Sequence, residues 1–172
     1  IYGDVVRKIP FLASGDDFFV MNLCSQLRPQ HSVKGEILME KDDLASFVYF
    51  LLDGSIGITD DCLPALHFGQ EQEMLADQFD GVKLFPGSFF GEESVIPFIE
   101  SGEYDYKRAL LSARYSINAV ALTSSSLSYI RAKTMLNLLK HYPHIAKKLK
   151  TFAEKRRKRL VKLRSANGGG GV

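Results

Sequence analysis

The 172-residue sequence predicts a mainly β domain of the α+β class, with about eight antiparallel strands between helices at its two ends. Apolar residues recur at helical spacing before residue 28 and again after residue 131. Between residues 32 and 130, short apolar segments alternate with glycine-bearing turns, which is typical of a small antiparallel barrel or sandwich. A hydrophobic fraction of 45% in a chain of this length is enough to bury a core.

The first helix is expected over residues 16–27. A serine or aspartate at residues 14–17 can cap its start, because a side-chain oxygen there accepts from a free helix amide. Arg28 ends it, since Pro29 disfavours helical backbone in the preceding residue. The apolar positions that recur at helical spacing are Phe19, Val20, Leu23, Cys24 and Leu27.

The central region contains six segments with strand character: residues 37–39, 47–52, 56–58, 82–85, 115–121 and 127–130. We expect a hairpin across Asp53 and Gly54, where glycine supplies a positive φ. Residues 33–36, 86–87 and 123–126 have turn composition, and residues 60–80 form a long acidic loop.

The last third is predicted to be two helices that meet at Pro143. In the second helix, six positions spaced 4, 3, 4, 4 and 3 residues apart form a narrow apolar stripe that a single arginine interrupts. These positions are Ile145, Leu149, Phe152, Arg156, Leu160 and Leu163. The glycine-rich residues 165–172 are expected to be a disordered tail.

Charge is distributed unevenly along the chain. Residues 1–130 hold 9 Lys and Arg against 19 Asp and Glu, whereas residues 131–164 hold 13 Lys and Arg against Glu154 alone. Such a basic segment could bind nucleic acid or anionic lipid, dock on the acidic body, or stand as a solvated helix face. No apolar run approaches the ~20 residues that a membrane helix needs.

Residues 85–96 have the composition of a phosphate cradle. A turn at Gly87 leads to Gly91, where the missing Cβ allows a ligand close to the backbone, and a short helix can then present free amides to an anion. The Glu92 carboxylate could accept hydrogen bonds from a sugar hydroxyl. Arg114 offers a planar cation that suits a phosphate. Together these features predict a nucleotide site.

With these motifs in view, residues 1–164 resemble a cyclic-nucleotide-binding domain, most closely the cytosolic domain of cyclic-nucleotide-regulated ion channels. The motifs occur in that family's order: IPFL at 9–12, LRP at 27–29, KGE at 34–36, YFLLDGSI at 49–56, FGE at 90–92 and YP at 142–143. The resemblance implies an eight-stranded, jelly-roll-like antiparallel β-roll with a short helix in the phosphate cassette. It divides the chain into an N-terminal helical part (1–28), the roll (29–130) and the C-terminal helices with a lid (131–164).

The resemblance also implies a ligand, cAMP or cGMP, and no other cofactor. It implies that Glu92 holds the ribose 2′-hydroxyl, that the Gly91, Glu92 and Ser94 amides face the cyclic phosphate, and that Arg156 on the lid helix contacts the base. The Ser94 hydroxyl would be an additional donor. The residues implied as ligand-binding are Phe90, Gly91, Glu92, Glu93, Ser94, Arg114, Tyr115, Ser116 and Arg156.

Three features of the sequence depart from the family pattern. Ala113 stands where the family usually has its phosphate-binding arginine, and Arg114 follows one residue later, which on a strand reverses the side-chain direction. The segment 97–112 lengthens the cassette, so that either Arg114 or Arg108 could serve the phosphate. Glu93 places a negative charge where the family usually has an apolar residue, and it would oppose a phosphate if it faced the pocket.

The function that the resemblance implies is that of a non-enzymatic sensor of cAMP or cGMP, which regulates an attached channel or transporter through movement of its last helix. The implied location is the cytoplasmic face of a membrane, and the implied partners are the rest of that chain, other subunits of a homotetramer and anionic lipid, but not nucleic acid. The alternative is a degenerate module of the same fold, which binds no cyclic nucleotide and acts by protein or lipid contact.

A cupin-type metalloenzyme is the competing class. It is disfavoured because the sequence has no His-x-His pair and no nucleophile grouped with a base. His141 and His144 flank Pro143 without an evident third ligand, so that no metal site is predicted.

Overall fold

The computed structural model describes residues 7–10, 12–13, 16–60, 79–102 and 113–167. Most of the predicted loop 60–80 and of the segment 97–112 lies outside the described residues, and so does Arg108.

The described elements follow the predicted order of helix, strands and two helices. The helices are α1 (Asp17–Gln26), α2 (Ile96–Ser101), α3 (Ala132–Leu139) and α4 (Pro143–Asn167), with a 3₁₀ turn at Glu92–Ser94. The strands are β1 (Arg28–Ser32), β2 (Ile37–Met39), β3 (Phe47–Asp53), β4 (Ile56–Thr59), β5 (Val82–Leu84), β6 (Phe89–Phe90), β7 (Asn118–Ala121) and β8 (Ser125–Arg131).

The eight strands form two four-stranded sheets, in the orders β1-β8-β3-β6 and β2-β7-β4-β5, and every strand pair is antiparallel. This arrangement confirms the predicted mainly β roll, with helices before, within and after the strands.

The predicted hairpin between β3 and β4 is wrong, because these strands lie in different sheets. Strand β3 pairs with β8 and β6, whereas β4 pairs with β7 and β5. Gly54 does adopt the expected positive φ of 90°, and a Cβ there would lie 2.3 Å from the Ser125 Oγ. The Ser55 amide donates to the Thr123 Oγ1 at 3.0 Å. The turn is therefore a corner that passes the chain between sheets and docks against the β7–β8 corner.

Two apolar clusters meet on opposite faces of the first sheet. In β3, Val48 and Phe50 pack with the helices, while Tyr49 and Leu51 pack between the sheets. This alternation follows from the two-residue period of a strand. Because both faces are buried, β3 carries a continuous apolar run rather than the half-polar pattern of a one-sided sheet.

Helix α1 begins as predicted, since the Asp16 carboxylate accepts from the Phe18 amide at 2.8 Å. The strand β1 that follows it was not predicted. Its sequence RPQHS is polar and mostly exposed, and Pro29 is tolerated because β1 lies at a sheet edge.

The two C-terminal helices meet at Pro143 as predicted. Pro143 is the first residue of α4, where a missing amide costs no hydrogen bond. Helix α4 extends to Asn167, so that residues 165–167, expected in the tail, are helical; residues 168–172 lie outside the described residues.

Candidate ligand-binding site

The cassette connects β6 to α2 through Gly91 and the 3₁₀ turn Glu92–Ser94, and this confirms the predicted short helix. Gly91 has a φ of 80°, and a Cβ on it would lie 2.5 Å from the Phe47 carbonyl oxygen. The missing Cβ therefore allows the cassette to approach β3, which is a different reason for glycine from the predicted ligand contact.

A cavity of about 370 Å³ lies among the cassette, residues 113–117 and the second half of α4. Five of the nine residues expected to bind ligand line it: Glu92, Glu93, Arg114, Ser116 and Arg156. Its apolar wall includes Ile96, Ala113, Ile117 and Leu160, which sequence reasoning did not assign to the site. Three of them carried a signal in the sequence: Leu160 belongs to the apolar stripe, Ile96 ends the predicted cradle, and Ala113 stands at the family's arginine position.

Glu92 is buried and paired with α4. Its two carboxylate oxygens accept from the same guanidinium nitrogen, Nη1 of Arg156, at 2.9 and 3.0 Å. The Arg156 guanidinium also lies 4.9 Å from the centre of the Phe89 ring. The side chains of Arg156 and Glu92 are only 13% and 7% exposed. Each charge thus offsets the desolvation of the other, and α4 covers the cassette.

The Glu93 side chain is hydrogen-bonded to Ser116. Its Oε2 accepts from the Ser116 amide at 2.7 Å, and its Oε1 accepts from the Ser116 hydroxyl. Burial raises the pKa of the Glu93 carboxyl, the two hydrogen bonds from Ser116 lower it, and the neighbouring Glu92 carboxylate raises it further. Two carboxylates therefore stand side by side in the cavity wall.

Two predicted phosphate-binding residues have partners within the chain. The Arg114 Nη1 donates to the Asp42 carbonyl oxygen at 2.9 Å, while the residue also lines the cavity. The Ser94 amide and hydroxyl both donate to the Gly91 carbonyl oxygen, at 3.1 and 2.8 Å. Ser94 is completely buried. A phosphate role for either residue stays a prediction, and it requires these bonds to be exchanged.

The structure places Phe90 and Tyr115 in the cluster between the sheets rather than in the cavity wall. The Phe90 ring stacks on Tyr49 with centroids 4.9 Å apart. The Tyr115 hydroxyl donates to the Phe47 carbonyl and accepts from the Phe47 amide, both at 3.0 Å. Tyr115 therefore anchors the start of β3.

The described residues include no group of three or more His, Cys, Asp or Glu side chains placed to hold a metal ion. We also find no helix within them that combines the length and the apolarity of a membrane span.

No protein-family model matches the chain, and no curated protein matches its sequence. Several solved structures do match. One is the regulatory subunit of a cAMP-independent protein kinase A from Trypanosoma brucei, with 16% identity, a TM-score of 0.61, and coverage of 89% of this chain and 46% of that one. Another is the C-linker/CNBHD of zELK channels, crystallized in the presence of cAMP, with 20% identity, a TM-score of 0.59, and coverage of 88% and 63%.

A third is cAMP-bound PfPKA-R, with 14% identity, a TM-score of 0.64, and coverage of 97% of this chain and 46% of that one. This chain spans less than two thirds of each of the three. At these identities the likeness concerns the fold, and it agrees with the two antiparallel sheets and the helix pair after them. The chain has the fold of a cyclic-nucleotide-binding domain.

Proposed function

We propose that this chain is a regulatory module that binds cAMP or cGMP in the cavity beneath α4 and signals by moving that helix. The observation that carries the proposal is the contact between Glu92 in the cassette and Arg156 on α4. It joins the residue expected to bind ribose to the helix expected to act as a lid.

Ligand binding and helix position are coupled at Glu92. A carboxylate only accepts hydrogen bonds, so a ribose hydroxyl competes with Arg156 for the same two oxygens. The ligand would lie with its ribose at Glu92 and its phosphate against residues 114–116. Its binding would release Arg156 to a new position over the base. A ligand that favours one helix position shifts the population toward it.

In the full-length protein, the module would regulate a channel or transporter at the cytoplasmic face of a membrane, within a homotetramer. One of the three structural neighbours is a channel domain, and the other two are regulatory subunits of kinases. The exposed basic residues of α4 support contact with anionic lipid. These residues are Lys147, Lys155, Arg157, Lys158, Arg159 and Lys162. No catalytic step forms part of the proposal.

The test is a calorimetric titration of the 172-residue chain with cAMP and with cGMP. We expect saturable binding below millimolar ligand, which Glu92→Ala abolishes and Arg114→Ala weakens. Glu100→Ala is the matched control, because Glu100 lines the same cavity but is half-exposed and pairs with Lys150. Absence of heat up to millimolar ligand would contradict the proposal and favour the degenerate interaction module.

A second readout tests the signalling step. Hydrogen exchange of the backbone amides should change on ligand addition within residues 153–167, the half of α4 that carries Arg156. The amides of residues 143–152 should stay unchanged. An equal change in both halves, or in neither, would contradict movement of the lid.

A further inference from the structure

The cavity wall contains a second carboxylate that the proposed function leaves unused. Glu93 follows Glu92 in the 3₁₀ turn and lines the same cavity. Its carboxylate accepts from the Ser116 amide at 2.7 Å and from the Ser116 hydroxyl. Ser116 belongs to the segment against which the ligand's phosphate would lie. An anion of the protein itself thus occupies two donors that a phosphate would need.

Within the described residues no cation of the wall donates a hydrogen bond to Glu93, and the Arg156 charge, which lowers the pKa of Glu93, acts on it only through space. Arg156 donates to Glu92, and Arg114 donates to the carbonyl oxygen of Asp42. Arg157 also lines the cavity, on the exposed side of α4. A cyclic phosphate that enters beside Glu93 therefore meets a like charge in a partly buried place, where water screens it poorly.

A ligand without a phosphate is not repelled by the Glu93 carboxylate and can donate hydrogen bonds to it. Among the described residues, four carboxylates line the cavity, and two of them, Glu92 and Glu93, are adjacent in the cassette. Ionised carboxylates accept hydrogen bonds and donate none, so this adjacent pair is matched to a ligand that brings two hydroxyl donors. A nucleoside has such donors on its ribose: the 2′-hydroxyl is expected at Glu92, and the free 5′-hydroxyl, which a 3′,5′-cyclic phosphate ester removes, can reach toward Glu93.

We propose that Glu93 determines specificity in this cavity and makes the site select an uncharged nucleoside over the corresponding cyclic monophosphate. The proposal rests on the proposed function, because it uses the same cavity and the same ribose contact at Glu92. It differs in the class of ligand that the wild-type site prefers.

The test compares adenosine with cAMP, and guanosine with cGMP, by calorimetric titration of the 172-residue chain and of its Glu93→Gln variant. Glutamine keeps the size of the side chain and removes its charge. We expect the wild-type chain to bind the nucleoside at least as tightly as the cyclic nucleotide. In Glu93→Gln, cyclic-nucleotide affinity should rise about tenfold or more, while nucleoside affinity changes by less than about threefold.

Glu100→Gln is the control, since it removes an exposed charge from the same cavity and should leave the ratio of the two affinities unchanged. The ratio of nucleoside affinity to cyclic-nucleotide affinity in the wild-type chain tests the proposal even if the Glu93→Gln variant is unstable. If the wild-type chain binds cAMP or cGMP tenfold more tightly than the nucleoside, or if Glu93→Gln leaves the ratio unchanged, the specificity proposal is overturned while the proposed function stands. If neither ligand class binds to either protein, the proposed function itself fails.

Discussion

The two halves of α4 are held to the body of the domain by different forces. In residues 143–152, Ile145 and Leu149 are completely buried in the cluster formed by the helices and the first sheet. In residues 153–167, Leu163 is 39% exposed and Leu160 is partly buried. The main polar contact of this second half is the pair formed by Arg156 and Glu92.

Under the proposed function, this difference would let one continuous helix be anchored in its first half and move in its second. Burial of apolar side chains is non-directional, and a polar ligand offers nothing to replace it. A carboxylate–guanidinium pair depends on one geometry, and a ligand that brings hydroxyl groups can take the place of either partner. The first half is therefore the anchor, and under the proposed function the second half is the part that a ligand in the cavity would release.

The largest expected effect is in the anchor. Leu149→Ala removes a completely buried side chain and should lower the free energy of unfolding by about 2–5 kcal/mol, because it loses apolar burial and leaves a cavity. Urea denaturation followed by circular dichroism measures this loss. Leu163→Ala, on the exposed part of the same stripe, should cost less than about 0.5 kcal/mol. Equal losses in the two variants would contradict the distinction between the halves.

A smaller effect is expected from Arg156→Ala, which leaves the buried Glu92 without its partner. We expect a loss of about 1–3 kcal/mol in the free energy of unfolding, together with faster hydrogen exchange in residues 153–167 only. The neighbouring Arg157→Ala is the control, because Arg157 is exposed. A double-mutant cycle with Glu92→Gln should show coupling, and additive effects would rule out the pair as the contact that holds this half.

The dependence of stability on pH tests the surroundings of Glu93. Burial raises the pKa of this carboxyl above its usual value. A carboxyl that is protonated more readily in the folded state stabilises the fold most at low pH. This contribution is complete below the unfolded pKa, near 4.5, and is lost as the pH rises through the folded pKa. Thermal unfolding from pH 4 to pH 7 should therefore show Glu93→Gln gaining stability relative to the wild type as the pH rises. A constant difference would contradict the pKa shift.

The smallest effect is expected at the surface pair between Lys150 and Glu100, whose charged atoms lie 3.7 Å apart with side chains 39% and 50% exposed. Lys150→Ala should change the free energy of unfolding by less than about 1 kcal/mol, and the change should vanish in high salt. Denaturation at low and high salt measures it. A loss as large as that of Arg156→Ala would show that exposed charge pairs, too, hold α4 to the body.

The basic segment, residues 131–164, shows how much of the structure the charge pattern could predict. Three alternatives were open for it: a bound polyanion, docking on the acidic body, or a solvated face. In the described residues, Arg156 of α4 pairs with Glu92 of the cassette, and Lys150 of α4 pairs with Glu100 of α2. Six further lysine and arginine side chains of α4, among those that the structure describes, are exposed to solvent. Docking and a solvated face therefore coexist on one helix, because its sides face different surroundings.

The sequence by itself determined the features that depend on near neighbours. Asp16 caps α1, Pro143 separates the last two helices, and the cassette turns into a short helix after Gly91, all because local backbone chemistry decides them. The roll itself was also predictable, since short apolar segments between turns leave few architectures that bury them.

Only the tertiary structure decided which distant groups meet. It placed β3 and β4 in different sheets, brought Arg156 to Glu92 across 64 residues and joined Glu93 to Ser116 across 23. The apolar pattern of a strand indicates which of its faces are buried but not which strand pairs with it. A charged side chain can reach several partners until packing fixes its direction. The cavity's chemistry arises from these long-range contacts, which is why Glu92 and Glu93 could be identified from the sequence and the residues that pair with them could not.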